Sequence, residues 1–258
     1  MQRLFGWGCT PKATTNETSD NETTTRKALP AAWYTSPDMY ELERRAIFSR
    51  KWILITHRVR LPKPGDYIQT TVAEYPIVVV SDRQGEIKAH HNVCRHRAYP
   101  VVEEKAGHVS IFACKYHSTS VLCLWSPSPL RLILNTLLIK IPDWSYGLDG
   151  KLAKAPKYEG LEGFEKAANS LFSVHVHVDR LGFVWVNLDA KPSPEIAWED
   201  DLRGVDAQPR LQAFDAETYH FDHQYEIVGD FNWKTLADNY NEVSRRVNTS
   251  AASHDTDL

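Results

Sequence analysis

The sequence has few cysteines, no strong excess of either charge and no long uninterrupted apolar run. Its four cysteines are Cys9, Cys94, Cys114 and Cys123, and in a chain of 258 residues they do not read as a disulfide framework. The net charge is −3, from 30 basic and 33 acidic residues. That balance gives no electrostatic reason to expect nucleic acid or an anionic membrane as partner. Met1 to Cys9 contains no apolar run of signal-peptide length, so a reducing, cytoplasmic setting is expected. Asn16-Glu17-Thr18 and Asn21-Glu22-Thr23 are then chance matches to the glycosylation pattern. The most apolar stretch, Leu130 to Ile141, is interrupted by Arg131, Asn135 and Lys140 and is too short to span a membrane. There is no internal repeat, and no Gly-rich phosphate loop to suggest a nucleotide cofactor.

What is present is an ordinary globular composition, 42% hydrophobic and 24% charged, with eight Trp and eleven Tyr that suit packed sheets and an apolar pocket. Residues 10–27 are Thr/Asn-rich and nearly free of apolar side chains, so residues 1–28 read as a disordered tail. Residues 29–51 read as a helical segment. Pro37 suits a first helical turn, and Met39, Leu42, Ile47 and Phe48 share a face over Asp38 to Lys51. Strand signals follow at Trp52 to Thr56, Tyr67 to Val72, Ile77 to Ser81, Val174 to Val178 and Phe183 to Leu188. Asp149-Gly150 marks a hairpin turn. Ala190 to Pro209 reads as a polar linker, Thr218 to Glu226 as a strand and Asn232 to Glu242 as a helix. In that helix Trp233, Leu236, Ala237 and Tyr240 form an apolar stripe, and Asp230 or Asn232 serves as cap.

The strongest chemical signal is Cys94-Arg-His96, seventeen residues, then Cys114-Lys-Tyr-His117. Two short Cys/His pairs on turns between strands bring four ligands together. Thiolates suit ferric iron, and replacing two of them by imidazoles makes an iron–sulfur site less negative and raises its potential. A Cys₂His₂ zinc site uses the same donors and stays open on spacing alone. However, zinc fingers put both Cys in one pair and both His in the other. Here each pair is mixed, which lets two Cys bind one iron and two His the other.

His91-Asn-Val-Cys-Arg-His-Arg-Ala-Tyr-Pro100 and Cys114-Lys-Tyr-His117 resemble the Rieske ring-hydroxylating oxygenase large subunits, within them the choline-monooxygenase-like branch. Leu29 to Tyr34, Trp144 to Leu152 and Gly182 to Leu188 extend the resemblance over roughly residues 29 to 242. It implies an α+β fold: a β-rich Rieske domain of antiparallel sheets at 52–190, then an N-terminal fragment of an α+β helix-grip-type catalytic domain at 191–258. It implies a [2Fe–2S] cluster on Cys94, His96, Cys114 and His117, and a mononuclear Fe(II) elsewhere. It also implies a separate ferredoxin or reductase as electron donor, a homotrimer, and oxidation of a quaternary amine such as choline to betaine aldehyde. Glu242 matches the carboxylate that bridges a cluster His of one subunit to an iron His of its neighbour; otherwise it is a solvated helix position one turn from Asp238.

The chain departs from that family twice. Twenty-six residues, 118–143, separate His117 from Trp144 where the family has one. Such an insert is expected to displace Trp144 and Tyr146 from behind the second cluster loop. Cys123 lies within it and is not counted as a ligand. The two positions where the resemblance asks for iron-binding histidines hold Arg245 and Ser250, and His254 is wrongly spaced. We therefore expect 243–258 to be a tail foreign to the family and no two-His-one-carboxylate site in this chain. Both segments read as retained introns, with a binding insert or an amphipathic helix as the alternative for 118–143. The alternatives are a cluster-only electron carrier and a non-functional product of mis-splicing. His175 and His177 share a strand face but lack a third ligand nearby, His220 and His223 read as surface or packing residues, and His90 and His91 as structural. Arg95 and Arg97 read either as offsetting cluster charge or meeting a reductase, or as solvated side chains.

Overall fold

The computed structural model describes residues 28–115, 144–215 and 218–241. His117, Cys123, Glu242, Arg245, Ser250 and His254, the insert, the foreign tail and nearly all of the expected disordered segment lie outside the described residues.

The helical start forms as its turn chemistry dictates. After a short helix α1 (Ala32–Thr35), Ser36 caps helix α2 (Pro37–Glu43): its Oγ accepts the Met39 N–H at 3.4 Å, and Pro37 sits in the first turn. The last turn widens into a π-helical segment, Arg44–Phe48. The expected apolar face is only partly used. Leu42 and Ile47 are exposed, Met39 and Phe48 are half-buried, and the one buried residue of α2 is Glu43.

Ten strands follow. The first six are β1 (Ile53–His57), β2 (Asp66–Val72), β3 (Tyr75–Ser81), β4 (Ile87–His91), β5 (Ala106–His108) and β6 (Phe112–Ala113). The others are β7 (Ser145–Tyr146), β8 (Leu152–Lys154), β9 (Ser173–Val178) and β10 (Phe183–Asn187). Seven of them form one sheet in the order β1-β10-β9-β4-β3-β2-β5; β6-β7-β8 form a second. Every pairing is antiparallel. The strands expected between Trp52 and Leu188 all form, and Asp149-Gly150 turns β7 into β8. β4, β5 and β6 carry no strong apolar alternation and were not expected; neighbouring strands hold them in place.

β3 explains where the core sits. Ile77, Val78, Val79 and Val80 are all fully buried, an unbroken apolar run that a strand covered on both faces requires. Ile77 and Val79 pack with Ile68, Ala89, Val174, Val184 and Val186. Val78 and Val80 face the other way, into a core that contains Cys94, Cys114, Phe112, Trp144 and Tyr146. The candidate site is thus built against the back of the large sheet.

Three expectations fail beyond β10. The linker packs back on the sheet. A short helix α3 (Trp198–Asp201) buries Trp198 against His177, and Asp206 takes two hydrogen bonds from the Arg180 guanidinium, at 2.9 and 3.2 Å. Thr218 to Glu226 is not a strand: its described residues form no ladder, and Tyr225, Ile227 and Val228 stand exposed. Alternation alone does not make a strand without a partner edge. The helix does form, over 233–241, as α4, with Asn232 Oδ1 accepting the Lys234 N–H at 3.0 Å. Yet Trp233, Leu236 and Tyr240 are exposed, and the buried side chain is Lys234. Among the described residues no helix is long and apolar enough to cross a membrane.

Candidate metal centre

The first loop leaves β4 and is pinned at its base by Asn92, itself buried. Asn92 Oδ1 accepts the Val101 and Val102 N–H groups at 2.9 and 3.1 Å, and its Nδ2 donates to the Val102 carbonyl at 2.8 Å. Within this clamp the Cys94 N–H donates to Tyr99 O at 2.8 Å and the Ala98 N–H to Cys94 O at 2.9 Å. Ala98 closes the turn at φ 55°.

Cys114 ends β6. Its N–H donates to Trp144 O at 3.0 Å, and Phe112 pairs with Tyr146 across β6–β7. Trp144 and Tyr146 are therefore not displaced as expected. Tyr146 is fully buried, and its hydroxyl lies 3.2 Å from Cys94 Sγ while accepting the Arg95 N–H at 3.0 Å. The pairing of β6 with β7 and the Cys114–Trp144 backbone bond hold both residues in place.

The Cys94 and Cys114 thiols are each 1% exposed and in hydrogen-bond contact. Contact with Cys114, then the Tyr146 hydroxyl and the backbone N–H groups of His96 and Arg97, pull the Cys94 thiol down to about 6 against the opposing effect of burial. Burial, and then the Cys94 sulfur, push the Tyr146 phenol up. The result is a pair of sulfurs in a buried pocket that favours negative charge on at least one of them. That is the donor chemistry a thiolate-bound iron needs.

His96 stands apart from this pair. Its ring stacks on Trp144, centroids 5.3 Å apart and 14° from parallel, and its Nε2 is 3.1 Å from the Tyr158 hydroxyl. Among the described residues no three His, Cys, Asp or Glu side chains converge as a single metal site. A two-iron centre asks for something else: two pairs of protein ligands, one per iron. The sulfur pair and a separate imidazole fit that division, with His117 as the fourth donor lying outside the described residues.

The other candidates take structural roles. His90 is buried and donates from Nε2 to Leu148 O at 3.1 Å, and His91 lies edge-on to Tyr75 and Phe172. His175 Nε2 meets Lys191 O at 2.9 Å, while His177 stacks on Trp198 at 4.0 Å, so the two do not act as a metal pair. His220 and His223 are exposed, and His223 pairs with Asp222. The Arg95 guanidinium covers the Phe172 ring at 4.0 Å. Asp238 accepts from the Tyr34 hydroxyl at 2.8 Å. Tyr158 was not anticipated: it lies 62 positions from His96, and no local pattern marks it.

Comparison with known proteins gives the same picture. Residues 51–121 match the Rieske [2Fe-2S] domain family. The carnitine monooxygenase oxygenase subunit of Acinetobacter baumannii is 26% identical over 214 residues, 83% of this chain and 50% of its own length. The glycine betaine monooxygenase oxygenase subunit of Chromohalobacter salexigens is 30% identical over 216 residues, covering 83% and 41%. The chloroplastic choline monooxygenase of Spinacia oleracea is 28% identical over 230 residues, covering 89% and 46%. Among solved structures, a quaternary ammonium Rieske monooxygenase in complex with its substrate γ-butyrobetaine superposes with a TM-score of 0.65 at 28% identity, covering 82% of this chain and 52% of that one. The chain spans about half the length of these relatives. With its Rieske domain and this shared fold, the chain belongs with the Rieske oxygenase large subunits.

Proposed function

We propose that this chain is the cluster-bearing oxygenase-type subunit of a Rieske monooxygenase that acts on a quaternary amine, with choline as substrate and betaine aldehyde as product. The observation that carries the reading is the buried Cys94–Cys114 sulfur pair beneath Tyr146, in a domain matched to the Rieske family. The relatives named for carnitine, glycine betaine and choline support the substrate class.

We assign residues 52–190 as the cluster domain, with Cys94 and Cys114 holding one iron and His96 and His117 the other. A bound [2Fe–2S] cluster supplies a one-electron relay at a potential raised by its neutral imidazole ligands. The chain's own residues prepare that site. Tyr146 and the loop N–H groups spread the charge of Cys94, the β6–β7 pair fixes Cys114, and Trp144 shields one face of His96. Electrons arrive from a separate ferredoxin or reductase. Glu242 is the carboxylate proposed to bridge towards a neighbouring subunit in a trimer. The reducing compartment this needs, cytoplasmic in our reading, suits the buried thiols of Cys94 and Cys114.

One observation favours a second reading, a cluster-only electron carrier. Arg245 and Ser250 stand where the resemblance asks for iron-binding histidines, and a permanently charged guanidinium does not replace imidazole as a ligand. Anaerobic iron–sulfide reconstitution of the full chain, followed by EPR after reduction and by turnover assays with choline, glycine betaine and carnitine, separates the two. A Rieske signal with product supports the oxygenase, and a Rieske signal without product supports the carrier. A chain that takes up zinc or no metal overturns both.

A further inference from the structure

Tyr158, which meets His96 at 3.1 Å, sits in an internally hydrogen-bonded loop. The Tyr158 N–H donates to Ala155 O at 3.0 Å, and the Ala155 N–H to Glu159 Oε1 at 2.9 Å. Glu159 is in turn bound by Lys166 at 3.0 Å. Leu161 N–H returns to Tyr158 O at 3.0 Å, and Phe164 N–H to Leu161 O at 3.1 Å. Lys157, immediately before Tyr158, adopts φ 70°, a left-handed conformation disfavoured for a residue with a Cβ. Such strain persists only where the surrounding contacts over-determine it.

Those contacts converge on one imidazole. The Tyr158 ring lies edge-on to His96 at 5.4 Å and to Trp144 at 5.2 Å, while Trp144 stacks flat on His96 and Phe164 closes on Trp144 at 5.7 Å. Trp144 thus blocks a face of the imidazole, and the Tyr158 hydroxyl meets its Nε2. Fixing the outer nitrogen of a ligand histidine sets which ring nitrogen carries the proton and raises the basicity of the other.

We infer that Tyr158 is the positioning residue for His96, its hydroxyl holding the proton on Nε2 so that Nδ1 is the nitrogen offered to iron. The inference rests on the Rieske reading above and deepens it. Its consequence is electronic. An imidazole made more basic by Tyr158 favours the ferric state, so removing the hydroxyl raises the midpoint potential of the cluster without removing a ligand.

The test compares the full-length chain with its Tyr158→Phe variant, which keeps the ring and its packing. In the metal-free proteins, ¹⁵N NMR of the imidazoles should show His96 protonated at Nε2 in the wild type and in mixed tautomers in the variant. After reconstitution, iron content should be equal, the midpoint potential of the variant higher, and its histidine nitrogen couplings altered in pulsed EPR. Equal potentials with identical couplings overturn the role of Tyr158 and leave the Rieske reading intact. So does a wild-type His96 protonated at Nδ1. A wild-type chain that assembles no Rieske cluster overturns the reading, and the positioning role with it. If the variant does not fold, the wild-type tautomer alone decides.

Discussion

Lys234 and Glu43 form an ion pair at 2.6 Å in which the side chains are only 8% and 6% exposed. Trp233 Nε1 donates to the second carboxylate oxygen at 2.8 Å, and the ammonium lies 5.5 Å from the Trp33 ring centroid. Phe48 adds an edge contact to Trp233 at 5.3 Å. This polar staple, rather than the expected apolar stripes, joins the N-terminal helices to α4.

Cutting one half of the staple should therefore cost more than removing both halves. Lys234→Met leaves Glu43 as a buried charge with one indole donor, a defect of about 3–5 kcal/mol. The double variant Glu43→Leu/Lys234→Met should lie within about 1 kcal/mol of wild type or above it, as paired buried charges replaced by apolar side chains often do. Urea denaturation of the three proteins measures this. Equal losses for the single and double variants would show that the ion pair contributes no coupling.

Asn92→Ala should loosen the first cluster loop. It strips hydrogen bonds from the Val101 and Val102 N–H groups and the Val102 carbonyl, each worth about 1–3 kcal/mol when left buried and unpaired. Asn92→Asp keeps both acceptor contacts but sets a buried carboxylate oxygen against the Val102 carbonyl, so it should also destabilise, and more as the pH rises and the carboxyl ionises. Thermal melts and hydrogen exchange at residues 94–102 report both effects.

Gly150→Ala should destabilise the β7–β8 hairpin. Gly150 sits at φ 80°, and a Cβ there would lie 2.5 Å from His90 Cε1. The left-handed backbone alone costs about 1–2 kcal/mol for a residue with a Cβ. The clash adds to that by pushing His90 off its bond to Leu148. A lower Tm with loss of protection at His90 is the expected result; an unchanged Tm would contradict it.

Acid should destabilise the fold through His90 and His91. Burial holds both imidazoles below their ordinary value. His90 Nε2 already donates to Leu148 O, and its buried Nδ1 has no partner, so protonation would place an unpaired donor in the core. The unfolded chain binds these protons more readily. Stability is therefore full above about pH 6.5, the unfolded histidine value, and falls as the pH drops below it. Tm measured from pH 7.5 to pH 5 should fall, and His90→Gln should flatten the slope.

The β-rich runs were legible because each carries its own period. Ile77 to Val80 reads as a strand wherever it is placed, and the Ser36-Pro37 start reads as a helix entry. The same logic misled at Thr218 to Glu226, where alternation exists but no edge accepts it. It also misled at 233–241, where the apolar stripe was right in period and wrong about which side chain is buried. The insert was expected to displace Trp144 and Tyr146, yet both are in place. The Cys114 to Trp144 hydrogen bond closes the gap between its ends, and lengthening a closed loop costs little, about 0.6 kcal/mol per doubling.

The sequence alone supplied the candidate donor set: Cys94 and His96 in one short pair, Cys114 and His117 in another, in motifs that resemble a Rieske centre. Those facts are local, written within a few residues. Only the tertiary structure decided what surrounds them: Tyr146 on the Cys94 sulfur, Tyr158 on His96, Trp144 stacked across the imidazole, and Glu43 paired with Lys234. Three of these contacts join residues 52, 62 and 191 positions apart. No residue's own neighbours encode such pairings, because they arise from how sheets and loops pack once the chain has collapsed.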